Sequence, residues 1–268
     1  MPRNSRWPKP LRSPVSSHDR LTDSAGVPWR GREFDANPFA GDDGTAPAEL
    51  MRAISNFRSG QGSAVEIIDA FRGARLLIPL MANLGEGGEG VDGLQADKSS
   101  ELSIVTVEGP DGYNVLPVFS SVAAMGRWHF DARPVPSDAT RVALAAASEN
   151  TPRVVLDPGS ETEFAIRRPA LEAIAKQEPW MPPNENGQVQ AAFLNAMNSV
   201  EEVVSFDLEY ADPEFLLRSA ELALTLRLVA GLDSETLEQV LKRVGEAIAA
   251  SEVIAEKVDS LRLKLAQA

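Results

Sequence analysis

The apolar residues of this chain follow helical and strand periodicities in turn, and the alternation predicts a mixed fold. Helical spacing comes first, from Pro47, a favoured first helical residue, with Leu50, Ile54 and Phe57 on one face of a helix. Short apolar runs then predict strands, namely "RLLIPLM", "LSIVTVE", "YNVLPVF", "RVVL" and "TEFAI". The turn sequences "GPDG" and "DPGSE" predict two hairpins. Residues 45–178 are therefore predicted to form an α+β domain with a mixed, largely antiparallel sheet.

Helix boundaries in this domain are indicated by residues that favour helix ends. Ser63 and Glu66 have the spacing of a capping box, which would open a helix that Gly73 closes. Further helices are predicted after "YNVLPVF", in "DATRVALAAAS", and from Pro169, a favoured residue of the first helical turn.

A second unit follows residues 179–187, whose proline, asparagine and glycine content predicts a linker. Residues 188–268 contain a short helical pattern, two strands of period 2, a long amphipathic helix and a third such strand. Asp233 or Ser234 is expected to cap the long helix. The order α-β-β-α-β predicts a second α+β domain, and no unusual cluster of polar residues is predicted in it.

Residues 1–44 are rich in Pro, Gly, Ser, Asp and Arg and have almost no aliphatic residues. Such a composition cannot bury enough apolar surface to offset the entropy of ordering the chain, so a disordered tail is predicted. Candidate contact residues in this tail are Trp29, Arg30, Phe34 and Phe39. They could pack across the chain's own domain or bind a partner, and the sequence leaves both interpretations open.

Composition limits the classes of function. The formal charge is −13, but residues 1–33 carry +4, so the remaining residues carry −17. A body this acidic repels phosphate backbones, so the folded part is not expected to bind nucleic acid. The chain has no cysteine, which excludes disulfides, thiolate nucleophiles and cysteine-bound metals. Without a long apolar run or a secretory signal pattern, a cytoplasmic protein with no membrane contact is expected.

A glycine-rich segment at residues 85–90, "GEGGEG", matches the spacing of a dinucleotide-binding fingerprint. That fingerprint requires a helix directly after it, whose amides hold a pyrophosphate. No helical pattern follows here, and Glu86 and Glu89 would repel phosphate. The segment is therefore interpreted as a solvated loop, and no cofactor is expected.

Two serines, Ser120 and Ser121, stand where a strand leads into a helix. A nucleophile elbow would need small residues on both sides, which this segment lacks. The nearest base, His129, would lie roughly 12 Å away along the helix. The expected role of a serine here is therefore an N-cap, and the amides beyond the cap could hold an anion.

No catalytic or metal site is predicted elsewhere. His18 and His129 are the chain's two histidines, and no zinc or calcium motif occurs. Arg167 and Arg168 stand at a predicted helix start, where positive charge is unfavourable against the helix dipole. An anionic contact would relieve this conflict, and Glu163 is the expected local partner.

Three segments together resemble the SseB family, which is named for enhanced serine sensitivity. They are "ARLLIPL" (74–80), "DGYNVLPVFSSVAAMGRW" (111–128) and "VVLDPGSETEFAIRRPALEAIA" (154–175). The resemblance covers about residues 45–178, and it extends more weakly to the second domain that many members carry. It implies a shared motif from Pro117 to Ser121, as a surface or structural feature, and it implies no reaction, cofactor or catalytic residue.

These observations lead to a non-catalytic regulatory or adaptor protein of the cytoplasm that acts through contacts with an unidentified protein. The alternative is a sensor of an amino acid or other carboxylate, bound at the start of the helix after Phe119. An enzyme that uses only carboxylates and hydroxyls is a third hypothesis. The predicted binding surface consists of Pro117, Phe119, Ser120, Ser121, Arg167 and Arg168.

Overall fold

The structure is a computed structural model, and it describes residues 39, 41–83 and 101–267. Residues 42–268 form one compact unit. The glycine-rich segment 85–90 and the predicted tail contacts Trp29, Arg30 and Phe34 lie outside the described residues. Phe39 is described, lies in a turn and is half-buried. We refer to residues 42–178 as the N-terminal half and to residues 188–267 as the C-terminal half.

The N-terminal half mixes helices with short strands. Its helices are α1 (Ala48–Arg58), α2 (Ala64–Gly73), α3 (Val122–Trp128), α4 (Ala139–Ser148) and α5 (Arg168–Lys176). Its strands are β1 (Leu76–Asn83), β2 (Glu101–Ile104), β3 (Val107–Glu108), β4 (Asn114–Val118), β5 (Arg133–Ser137), β6 (Val154–Leu156) and β7 (Phe164–Ile166). They form a three-stranded sheet in the order β2-β1-β5 and a four-stranded sheet in the order β3-β4-β6-β7.

The C-terminal half is a single sheet with helices on one face. Its helices are α6 (Gly187–Asn198), α7 (Ser234–Ala249) and α8 (Glu252–Lys257). Its strands are β8 (Val203–Tyr210), β9 (Leu222–Leu228) and β10 (Leu261–Gln267), in the order β10-β9-β8. The β9–β10 pair is parallel, as is the β4–β6 pair, and the other strand pairs of the three sheets are antiparallel. The predicted α+β class is confirmed.

Most predicted helix starts and both hairpins are confirmed. The capping box is present, since the Ser63 hydroxyl accepts the Glu66 N–H and the Glu66 carboxylate accepts the Ser63 N–H. Asp233, and not Ser234, caps α7 by accepting the Thr236 N–H at 2.8 Å. The turns "GPDG" and "DPGSE" join the antiparallel pairs β3–β4 and β6–β7.

Two predictions of strand structure are wrong. The run "LSIVTVE" is not one strand, because it supplies β2 to the first sheet and β3 to the second. Strand β5 was not predicted, because Pro134 and Pro136 argue against a strand. It lies at a sheet edge, where a strand can leave backbone positions unpaired and so tolerates proline. The short helix α8 was not predicted either.

Two large hydrophobic cores and two smaller clusters occur among the described residues of this unit. The first buries residues of α1, α2, α4 and α5 against β1, β4, β6 and β7, and it also contains Phe215 from the C-terminal half. The Phe215 ring stacks on Phe164 at 4.8 Å, and its carbonyl accepts the Ala165 N–H at 2.7 Å. The second core lies between the C-terminal sheet and its helices. The two halves therefore share buried contacts around Phe215.

No helix among the described residues is both long enough and apolar enough to cross a membrane.

Candidate functional site

The motif strand β4 runs through the interior of the N-terminal half. Pro117 is buried and pairs with Val155 of β6. Phe119, one residue beyond the strand, exchanges two backbone hydrogen bonds of 2.9 Å with Leu77 of β1. Phe119 is fully buried, and its ring lies 5.2 Å from the Trp128 ring in α3. Phe119 thus joins the two sheets and supports α3 from beneath, whereas Pro117 lies within the second sheet.

Ser120 is held by a buried carboxylate. Its hydroxyl donates to Oδ2 of Asp157 at 2.6 Å, and its backbone N–H donates to Oδ1 at 2.8 Å. The Thr162 hydroxyl donates to the same Oδ2 at 2.8 Å. Asp157 has φ of 45°, a left-handed conformation that these bonds hold in place. Since Ser120 and Asp157 are 2% and 1% exposed, this hydroxyl is closed to a substrate.

Ser121 is the N-cap of α3, as the sequence predicts. Its hydroxyl accepts the Ala124 N–H at 3.1 Å. The Val122 N–H donates to the Gly44 carbonyl at 3.0 Å. Two amides of the first helical turn are therefore already used within the protein, so the predicted anion site at this helix start has no support in the structure.

Replacing Ser120 by alanine is expected to lower the free energy of unfolding by roughly 1–3 kcal/mol, because a buried Asp157 oxygen loses a donor. Ser121→Ala removes only a cap and is expected to cost about 1 kcal/mol. Urea denaturation of the two variants compares these values. A Ser120→Ala protein as stable as the wild type would contradict the structural role given to the Ser120–Asp157 contact.

The end of α3 presents aromatic side chains, one of which, Trp128, lines a cleft. The His129 and Phe130 rings are stacked, with centroids 5.7 Å apart, and Phe130 is 85% exposed. Arg127, Trp128 and the loop of residues 157–162 line a cleft of about 470 Å³. We call Arg127, Trp128, Phe130 and residues 158–162 the α3 surface. The buried motif residues position this surface, although they are not part of it.

Arg167 and Arg168 lie at the opposite end of the β4-β6-β7 sheet from Ser120. Asp157 follows β6, whereas Arg153 precedes it and Arg167 follows the antiparallel β7. Because β6 is extended, the four-residue step from Arg153 to Asp157 corresponds to roughly 13 Å. The structure therefore does not bring the predicted arginines to the predicted serines.

The expected pairing of these arginines with Glu163 is wrong, because that carboxylate accepts the Gly159 N–H at 2.6 Å. Arg168 contacts Glu172 at 3.0 Å. It also donates to the carbonyls of Ala255, Glu256 and Val258 at the end of α8. The positive charge at the start of α5 is thus compensated by the negative end of another helix.

Arg167 belongs to a buried group of charges that joins the two halves. Its guanidinium contacts Asp212 at 2.7 Å and Asp259 at 3.0 Å. Asp259 also accepts from Arg153 at 2.8 Å, and its backbone N–H donates to Glu221 at 2.6 Å. We call these five residues the charge cluster. All except the half-buried Asp259 have relative exposures below 5%, so the cluster is inaccessible to a partner.

Burial shifts the protonation of this cluster. Desolvation raises the pKa of Glu221 to about 7, and the nearby Asp259 charge adds to the shift. One Glu221 oxygen, Oε1, is buried without a hydrogen-bond partner. Desolvation also raises the pKa of the adjacent Tyr210 well above its usual value. Desolvation acts upward on the Asp259 carboxyl too, but Arg153 and Arg167 outweigh it and lower its pKa.

Sequence reasoning missed the charge cluster. Arg153 precedes β6 and Arg167 follows β7, whereas the three carboxylates flank strands of the C-terminal half. The bonded pair Arg153 and Asp259 is separated by 106 positions in the sequence. One signal was available, because Asp212, Glu221 and Asp259 each border an apolar strand. No group of three metal-ligating side chains occurs in the part of the chain that the structure describes.

Comparison with known proteins identifies the N-terminal half. Residues 50–173 match the family described as SseB protein N-terminal domain. No curated protein and no solved structure matches the chain. The matched region runs from α1 to α5 and includes β4, Ser120, Ser121, the 157–162 loop and α3. Residues 50–173 of this chain are therefore similar to the N-terminal domain of the SseB family.

Proposed function

We propose that this chain is a non-catalytic regulatory protein of the cytoplasm that binds another protein through the α3 surface. The observation that carries the proposal is Phe130, which is 85% exposed and lies two residues after Trp128, a residue that lines the cleft with Arg127. Aromatic residues and arginine dominate the energetic centres of protein interfaces. An exposed Phe ring on a rigid support can bury its area in a partner at little entropic cost.

The support beneath this surface explains why the family motif is buried. Phe119 packs under Trp128, and Ser120 fixes the loop on the far side of the cleft through Asp157. A binding surface needs such support, because ordering a loosely held side chain on binding costs free energy and lowers the affinity. The motif would thus preserve the position of α3 and of the 157–162 loop.

The carboxylate-sensor alternative has no comparable observation in its favour, since its proposed amides are bonded to Gly44 and Ser121. A connection with serine sensitivity rests on the family's name alone. The catalytic alternative gains no support from Ser120, because its hydroxyl is buried against Asp157.

The proposal predicts that Phe130→Ala loses a partner that the wild-type protein captures from native lysate. Leu194→Ala is the matched control, because Leu194 is 50% exposed on α6 in the other half. Both variants should keep wild-type stability within about 0.5 kcal/mol, since each removes an exposed side chain. A partner retained equally by both variants would contradict the assignment of the α3 surface.

A further inference from the structure

Strand β10 forms one edge of the C-terminal sheet. It pairs with β9 over seven residues in regular parallel register, from Leu261 with Leu222 to Gln267 with Leu228. Among the residues that the structure describes, no strand pairs with its other side. An unpaired edge of this length offers a row of backbone donors and acceptors to another chain.

The ladder with β9 fixes which backbone groups are free. The Leu222 N–H donates to the Ser260 carbonyl at 3.1 Å. In a parallel pair, alternate residues of a strand bond to the neighbour, so Arg262 and Lys264 also direct their backbone groups toward β9. The N–H and carbonyl groups of Leu263 and Leu265 therefore point to the free edge.

The side chains of β10 separate apolar from basic residues. Leu263 and Leu265 lie on the core side, beside Leu224 and Leu226, yet they are 40% and 47% exposed. The side chain of Arg262 lies on the other face of the sheet, is exposed and forms no ion pair with a described residue. Lys264, also on that face, lies 3.7 Å from Glu209 of β8.

The opposite edge of the same sheet is less suited to pairing. Strand β8 has an irregularity between Val203 and Ser205, where its register with β9 shifts. Such bulges distort an edge and hinder its pairing with another strand. Strand β10 has no register shift along its length.

We propose that the β10 edge binds an extended segment of a partner protein in which apolar residues alternate with acidic ones. The apolar residues would cover Leu263 and Leu265, and the acidic ones would lie beside Arg262 and Lys264. Opposite charges on adjacent strands stabilise pairing, and like charges oppose it. A second copy of β10 is the wrong occupant, because antiparallel pairing would place its basic residues against Arg262 and Lys264. This surface is separate from the α3 surface, and its test does not depend on that proposal.

The test uses the full-length protein and two synthetic dye-labelled peptides of seven residues, measured by fluorescence anisotropy. One peptide alternates valine with glutamate, and its control alternates valine with lysine. The glutamate peptide is expected to bind at least about tenfold more tightly, because it presents opposite rather than like charges to β10. Raising the salt concentration should reduce this difference.

Two variants at one position test whether the backbone edge is used. Leu263→Pro removes an N–H that points away from β9, so the sheet ladder is retained, whereas Leu263→Val keeps that N–H and an apolar side chain. The proline variant is expected to lose roughly tenfold in affinity for the glutamate peptide, and the valine variant less than about threefold. Circular dichroism verifies that both variants are folded.

Four results would overturn the proposal. The first is no saturable binding of the glutamate peptide, and the second is equal binding of the two peptides. The third is self-association of the wild-type protein that Leu263→Pro abolishes, since this would identify a second copy as the occupant. Binding that Leu263→Pro leaves intact would likewise exclude the β10 edge as the site.

Discussion

Replacing Arg167 by methionine is expected to lower the free energy of unfolding by about 3–5 kcal/mol. The substitution keeps much of the side-chain volume but leaves Asp212 without its buried partner and Asp259 with Arg153 alone. Unpaired buried carboxylates carry a large desolvation cost, which is why breaking a buried ion pair is more destabilising than replacing it whole. Urea denaturation followed by circular dichroism measures the loss.

The matched control for this prediction is Arg218→Met. Arg218 lies 3.4 Å from Glu214, and both side chains are more than 60% exposed. Because solvent screens exposed ion pairs, this variant is expected to lose less than about 1 kcal/mol. Equal losses in the two variants would show that the charge cluster does not hold the halves together.

The wild-type protein is expected to lose stability as the pH rises, because of Glu221. Replacing Glu221 by glutamine is expected to abolish this loss. The folded pKa of Glu221 is raised from 4.5 to about 7 by burial. Between these values the folded protein retains a proton that the unfolded chain has released, so stability falls with rising pH. The full difference corresponds to roughly 3 kcal/mol.

Denaturation at about pH 5.5 and about pH 8 measures roughly 2 kcal/mol of this difference, because the unfolded carboxyl releases its proton below about pH 5.5. The wild type should be less stable at the higher pH, and Glu221→Gln should gain stability over the wild type there. Glu238→Gln makes the same chemical change at an exposed position of α7 and should behave as the wild type. The lowered pKa of Asp259 has the opposite effect on stability and acts in a more acidic range. The stability that it contributes is lost only as the pH falls below about 4. A wild-type stability that rises between the two values would contradict the raised pKa of the buried Glu221 carboxyl.

Local sequence signals predicted the helices well because their determinants are themselves local. The Ser63–Glu66 box, Pro47 before α1, and the Asp233 cap are each decided by a few neighbouring residues. Strand pairing depends on distant residues, and here prediction was less complete. The segment that supplies β2 and β3 reads as one apolar run, yet its two parts pair with β1 and β4 in different sheets.

The candidate site shows the same division. The N-cap role of Ser121 could be predicted, because it concerns the three residues that follow it. The Ser120–Asp157 contact joins positions 37 apart, and the charge cluster joins residues from both halves. Nothing in the local sequence around Arg167 indicates that Asp212 and Asp259 surround it. The exposed Phe130 could not be distinguished from a core residue without the fold.

These contacts assign different roles to residues that the sequence grouped as one surface. Pro117 lies within the second sheet, Phe119 supports α3, and Ser120 holds Asp157. Ser121 begins α3, Arg167 joins the halves, and Arg168 caps α8. The residues proposed to contact a partner, Phe130 above all, lie beside the motif.

The most direct test of this account places a photo-crosslinking phenylalanine analogue at position 130 of the full-length protein, with position 194 as the control. We expect a discrete crosslinked product in native lysate from position 130 that unlabelled wild-type protein competes away and the Phe130→Ala protein does not. No product from position 130, or the same products from both positions, would contradict the claim that this protein acts through the α3 surface.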